Sequence, residues 1–235
     1  MNKIILTLLM TILFTPAANA QNCINSTRCD ELGYTKTAAD CNGLDTLVCP
    51  FDENKVFCTK TTICYDGSIL FSDKSCAAEQ QSGKTAIGVV FSAASRLAVA
   101  LDEKELAWGG DGEIVYAAKS SSGKSNTAAI LAYGKANNIS YPAAEYCNTY
   151  STAGTKAGDW YLPSPEELKL LSSSYVVVSL KLATMVGKVT ILESGAYWAS
   201  SELDMSRAKA LVLGSGSTKY SNKDTSYRVR PVLAF

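Results

Sequence analysis

The sequence predicts an α+β fold, and three observations carry that assignment. Strand candidates gather before residue 110 and again after 195 with helical patterns between them, so strands and helices are segregated rather than alternating. The run Ser164-Pro165-Glu166-Glu167 is a proline-led capping motif that opens a helix. The β-branched runs are short and bounded by glycine, as strands between tight turns are.

Taken in order, the chain begins with an export signal. Lys3 gives a positive start, Ile4 to Phe14 is apolar apart from two threonines, and Ala18-Asn19-Ala20 presents small residues where signal peptidase reads them. Cleavage is expected after Ala20, giving a secreted, periplasmic or cell-surface protein. The apolar run is short of the ~20 residues a membrane span needs, so no span is expected. Basic and acidic residues number 22 each, which gives the chain no bulk attraction for nucleic acid or an anionic membrane. There is no histidine, so imidazole-dependent triads and His-ligated zinc sites are excluded.

Residues 21–80 form a Cys-rich module. In an oxidising compartment Cys23, Cys29, Cys41, Cys49, Cys58, Cys64, Cys76 and Cys147 are expected to form disulfides. The C-x5-C-x11-C spacing of Cys23, Cys29 and Cys41 recurs 35 residues later at Cys58, Cys64 and Cys76, which raises the possibility of an internal repeat. Residues 49–58 read as a loop closed by its two end cysteines. With all eight paired, Cys147 has to reach back to the N-terminal block and tether the two regions. No C-x2-C pair exists to hold zinc, and no cofactor or metal is expected.

Residues 77–84 read as a linker, and a second domain as 81–235. Thr85 to Phe91, Leu97 to Leu101 and Lys104 to Trp108 read as strands, and residues 119–125 as a loop. Thr127 to Asn138 and Pro142 to Tyr150 read as helices. Ser164 caps the next helix with Glu167 three residues on, which explains Glu166 and Glu167 as capping groups rather than a glycosidase pair. Ala196 to Ser201, Lys209 to Leu213 and Tyr227 to Ala234 read as strands. The tripeptides Gly83-Lys84-Thr85 and Gly123-Lys124-Ser125 end like phosphate loops but lack the earlier glycine, and both read as plain loops. The acidic run Asp102, Glu103, Glu105, Asp111, Glu113 reads as a solvated face.

Four blocks carry a family resemblance: Ala143-Ala144-Glu145-Tyr146-Cys147, Gly158-Asp159-Trp160-Tyr161-Leu162-Pro163-Ser164-Pro165-Glu166-Glu167-Leu168, Tyr197-Trp198-Ala199-Ser200-Ser201-Glu202 and Tyr227-Arg228-Val229-Arg230-Pro231-Val232. Over roughly residues 85–235 the chain resembles the Lcl C-terminal domain family of bacterial modules, similar in pattern to the C-type lectin-like superfamily that includes formylglycine-generating enzymes. The Cys-rich block lies outside the resemblance. It implies a lectin-like α+β domain with Trp160 and Trp198 as core pillars. The chain departs from the superfamily's enzymes in having no cysteine after Cys147. It departs from the calcium-dependent lectins in lacking their Glu-Pro-Asn, Gln-Pro-Asp and Trp-Asn-Asp tripeptides.

The segment 215–226 has the composition of an adaptable binding loop between two strands, but an ordinary surface hairpin is the favoured reading. Ser217, Lys219, Tyr220, Asn222 and Lys223 are its candidate ligand-binding residues. The functional expectation is an exported, non-enzymatic carbohydrate-binding or cell-adhesion module whose partner is an extracellular glycan, matrix polymer or protein. The alternative is a structural subunit or decoration of a bacterial surface assembly. An enzyme requires an activated group, for which a free Cys147 thiol is the expected mark.

Overall fold

The computed structural model describes two strands at 45–49 and 52–59, by their backbones, and residues 64–117 and 121–235 in full. The chain divides into two compact units, Met1–Thr62 and Ile63–Phe235. The signal segment, Cys23, Cys29 and Cys41 lie outside the described residues. In the first unit β1 (Asp45–Cys49) and β2 (Asp52–Thr59) form an antiparallel hairpin. The register sets Cys58 opposite Thr46 and Cys49 opposite Asp52, so the two cysteines expected to close one loop are not partners across the hairpin.

The second unit contains two sheets. The six-stranded sheet has the order β4-β3-β5-β6-β13-β8, built from β3 (Ile69–Phe71), β4 (Cys76–Ala77), β5 (Ala86–Ser92), β6 (Leu97–Ala100), β8 (Trp160–Tyr161) and β13 (Val232–Ala234). The five-stranded sheet has the order β11-β10-β9-β12-β7. Its members are β7 (Lys104–Ala107), β9 (Gly195–Glu202), β10 (Arg207–Leu213), β11 (Ser217–Asn222) and β12 (Ser226–Val229). Four helices complete the described residues: α1 (Gly123–Asn137), α2 (Pro142–Thr149), α3 (Pro165–Ser173) and α4 (Tyr175–Thr184). The unit is therefore mixed sheet and helix, with the helices between the first and last strands as the segment order predicts.

Three buried clusters hold it together. Strand β6 shows how they divide, for Leu97 and Val99 enter the first cluster while Ala98 and Ala100 enter the third on the opposite face. The first cluster packs Val89, Leu168, Leu171, Val178, Tyr197 and Leu211 beneath α3 and α4. The second packs Trp108, Ile130, Tyr141, Cys147 and Trp198 beneath α1 and α2. Trp160 sits in the third cluster, and Trp160 and Trp198 are both fully buried, as core pillars are. Gly88 is fitted to this packing: a Cβ there would sit 2.6 Å from the Val99 carbonyl oxygen.

Several boundaries differ from the sequence-based expectation. Because β3 pairs with β5, residues 64–80 belong to the second unit, and the division falls at Thr62 rather than at 80. Cys64 and Cys76 form a disulfide inside that unit. The expected tether through Cys147 is not formed: its thiol is free and fully buried, because α2 turns it into the second cluster. Burial pushes the Cys147 pKa well up, the opposite of an activated nucleophile. Gly123-Lys124-Ser125 is the first turn of α1, capped by Ser122, whose hydroxyl accepts from the Ser125 amide at 3.3 Å. The predicted strand 227–234 breaks at Arg230-Pro231, so β12 and β13 lie in different sheets. Proline has no amide hydrogen to continue a ladder, and here the Pro231 carbonyl accepts from the Ala100 amide instead.

Candidate recognition surface

The segment read as a surface hairpin or a binding loop holds the edge strand β11, joined to β10 by a turn at 214–216 and paired with it from Arg207↔Asn222 to Val212↔Ser217. Its side chains therefore alternate between two faces instead of converging on one ligand. Lys219 and Ser221 lie on the face shared with Tyr227: the Lys219 ammonium sits 4.8 Å from the Tyr227 ring centre, and the Ser221 and Tyr227 hydroxyls are 2.9 Å apart. Tyr227 in turn packs on Trp198 at 4.8 Å between ring centres. Ser217 falls on the same side by alternation. The other face carries Thr218, Tyr220 and Asn222, with Lys209 opposite Tyr220 and Arg207 opposite Asn222. Tyr220 is 49% exposed and forms the apolar centre of that face.

Lys223 is not a surface ligand. It is fully buried, and its ammonium donates to the Glu113 carbonyl and to Glu202 Oε2 at 3.2 Å while lying 5.0 Å over the Trp108 ring. The cause is local: the Lys223 amide donates to the Ser206 carbonyl and its carbonyl accepts from Gly109, which draws the residue under the 109–117 segment. The second carboxylate oxygen of Glu202 accepts from the Ala117 amide at 3.1 Å. Lys223 and Glu202 thus fasten that segment over the second cluster. Of the five candidate residues, four lie on β11 and split between its two faces, and the fifth is a structural clamp.

A second polar network crosses behind β12. Arg230 is fully buried and donates to the Ala100 carbonyl (2.8 Å), to Glu103 Oε2 (2.9 Å) and to the Thr190 carbonyl (2.9 Å). Glu103 also holds Arg228 at 3.3 Å and accepts from the Tyr197 hydroxyl at 3.1 Å. Burial, reinforced by the Glu103 charge, pushes the Tyr197 phenol well up. Partial burial acts to raise Asp102, but hydrogen bonds from the Thr190 hydroxyl and the Glu103 amide, with Lys188 and Arg230 nearby, leave it below its ordinary value. The acidic run is consequently not a uniformly solvated face: Glu103 is taken inside to neutralise two arginines. Among the described residues no group of three or more histidine, cysteine or acidic side chains is placed to hold a metal ion.

A groove of about 440 Å³ opens at the end of α1, lined by Leu131, Gly134, Lys135, Asn138 and Ile139. Its carboxylate, Glu145, is committed to the Ser140 hydroxyl and the Tyr141 amide. Glu166 and Glu167 sit in the first turn of α3, where Glu167 completes the capping box by accepting from the Ser164 amide at 2.7 Å.

Neither the surface face of β11 nor the partners beneath it were fully visible in the sequence. The Tyr227 and Trp198 contacts and the Arg207 and Lys209 neighbours follow only from the register. An edge strand wetted on both faces has no apolar alternation to announce it.

No protein-family model matches the chain, and no curated protein matches it. Among solved structures the fold is similar to that of a fimbrial protein from Bacteroides ovatus ATCC 8483, with a TM-score of 0.58 and 14% sequence identity. The similarity covers 73% of this chain and 49% of that one, so this chain spans about half of its neighbour's length. Among the described residues no helix is long and apolar enough to cross a membrane.

Proposed function

We propose that this chain is an exported structural subunit or decoration of a cell-surface assembly. The observation that carries the reading is the likeness of its fold to that of a fimbrial protein over 73% of the chain. A rigid aromatic and ionic scaffold under an exposed sheet edge suits a part that must keep its shape while held by neighbours. The N-terminal signal pattern and the Cys64–Cys76 disulfide fit an oxidising location outside the cytoplasm. The lectin-like assignment of residues 85–235 and membership of the Lcl C-terminal domain family belong to this proposal, resting on the four sequence blocks. The test is sedimentation of the mature chain, residues 21–235, over a wide concentration range. Concentration-dependent oligomers support the reading, and a monomer throughout removes it.

A second reading, adhesion to a glycan or matrix polymer, draws on one feature: Tyr220 is exposed between Lys209, Arg207 and Asn222 on one sheet face. Saturable binding of the monomer to a glycan and matrix array, abolished by Tyr220→Ala, supports it. Absence of binding, or binding indifferent to that substitution, counts against it.

A further inference from the structure

We propose that the outer edge of β11 pairs with the same edge of a second copy of this chain, antiparallel and centred on Tyr220. The inference rests on the assembly-subunit reading and names the surface that reading needs.

Strand β11 ends the five-stranded sheet, and no strand among the described residues pairs with its outer side. An open edge presents a row of backbone donors and acceptors to any other strand, and proteins usually blunt it with charges, proline, bulges or brevity. The other edges here are blunted in those ways. Strand β7 opens with exposed Lys104 and Glu105, while β4 and β8 are two residues each. Strand β11 has six residues, no proline and an unbroken register with β10. Its one charge, Lys219, is exposed and lies over the Tyr227 ring on one face of the sheet.

Symmetry selects the register. A two-fold axis normal to the sheet keeps each face on its own side, so residues brought opposite one another must share a face. Two such registers use nearly the whole strand, one centred on Lys219 and one on Tyr220. The first sets two ammonium groups against each other, which is unfavourable. The second sets Lys219 against Ser221, Thr218 against Asn222 and Tyr220 against its own copy, covering a phenol ring that is 49% exposed. The strand is thus self-complementary in one register and self-repelling in the other. The sheet continues across two copies without a break.

The experiment is sedimentation velocity on the mature chain and on Tyr220→Lys and Tyr220→Phe, with circular dichroism to verify that each is folded. Wild type and Tyr220→Phe are expected to dimerise, and Tyr220→Lys to raise the dimer dissociation constant by about tenfold or more. As a second readout, Tyr220→Cys is expected to cross-link to itself on mild oxidation, and Lys219→Cys, which faces Ser221, is not. An oligomer that survives Tyr220→Lys without a Tyr220→Cys cross-link overturns the edge pairing and leaves the assembly reading standing. A wild-type chain that stays monomeric overturns both.

Discussion

Lys223 and Glu202 form an ion pair at 3.2 Å in which neither side chain reaches solvent beyond 5%. Each partner neutralises a charge that would otherwise be stranded in the second core cluster, and together they pin the 109–117 segment through the Glu113 carbonyl and the Ala117 amide. Removing one partner of such a pair costs about 3–5 kcal/mol because the other is left uncompensated. Lys223→Met is therefore expected to destabilise the chain by roughly that amount in urea unfolding. Lys223→Met with Glu202→Leu is expected to recover much of the loss. A double variant as unstable as the sum of its singles contradicts the pairing.

The start of α1 is locked against the capping box of α3. Gly123 is buried, and a Cβ added there would sit 2.6 Å from the Leu162 carbonyl oxygen and 2.7 Å from the Ser164 nitrogen, with the Glu167 carboxylate closer still. Helical glycine to alanine normally stabilises by up to ~1 kcal/mol. Gly123→Ala is expected to do the reverse, lowering the melting temperature, while Ser164→Ala costs about 1 kcal/mol through the lost cap. A stabilised Gly123→Ala protein would show that the two helix starts are not in contact.

Cysteine accounting gives a third prediction. The Cys64–Cys76 pair and the free Cys147 leave five of the eight cysteines, an odd number, so they cannot all pair within one chain. Alkylation without reduction is expected to leave Cys147 unlabelled in the native protein and to label it after denaturation. Peptide mapping should recover Cys64 joined to Cys76. A fragment joining Cys147 to another cysteine contradicts the buried thiol.

Where burial is one-sided or the cap is chemical, the sequence reading holds: β5, β6, β9 and α3 lie where apolar runs and Ser164-Pro165 place them. The hairpin reading of 215–226 placed no strand on particular residues because Ser217 to Asn222 is largely polar on both faces, and pairing with β10 makes it strand β11. Helix α4 was hidden because aromatic Tyr175 and β-branched Val176, Val177 and Val178 are strand-favouring types, and it folds as helix because Val178 and Leu182 reach the first core cluster one turn apart. Parity misplaced Cys147, since it assumes that every thiol is within reach of another. Lys223 was misplaced because composition cannot distinguish a surface lysine from one drawn under a loop.

The β3–β4 turn carries an acid-sensitive contact. Ser75 donates through its amide and its hydroxyl to Asp73 Oδ1, and with Lys84 beside it at 3.2 Å the carboxyl is lowered from 3.8 to about 2. A depressed carboxylate stabilises the fold above its unfolded pKa, and that stabilisation is lost as pH falls through the folded value. Asp73→Asn is therefore expected to be less stable than wild type at neutral pH, with the gap closing between about pH 4 and pH 2. Asp73 is largely exposed, so solvent screening keeps the gap small. A gap that is constant across that range removes the ionic contribution.

Arg230 offers the sharpest test of why the final strands part. Its guanidinium reaches the Ala100 carbonyl, Glu103 and the Thr190 carbonyl at once, and it does so from the residue at which the chain leaves one sheet for the other. A planar fork with several fixed donors suits three acceptors in different directions, whereas an ammonium on a flexible stem cannot reproduce that geometry. Arg230→Lys keeps the charge opposite Glu103 but leaves at least one buried carbonyl unpaired, at a cost of about 1–3 kcal/mol. Arg230→Met loses the charge as well and is expected to be worse, by about a further 1 kcal/mol or more, because Glu103 then keeps Arg228, a half-buried side chain, as its cationic partner. Arg228→Met is expected to cost less than either, since that side chain is 25% exposed and Glu103 keeps its buried partner. The expected order of stability in urea is wild type, Arg228→Met, Arg230→Lys, Arg230→Met. Equal costs for Arg228→Met and Arg230→Met would mean that net charge, and not the buried fork, holds the crossover.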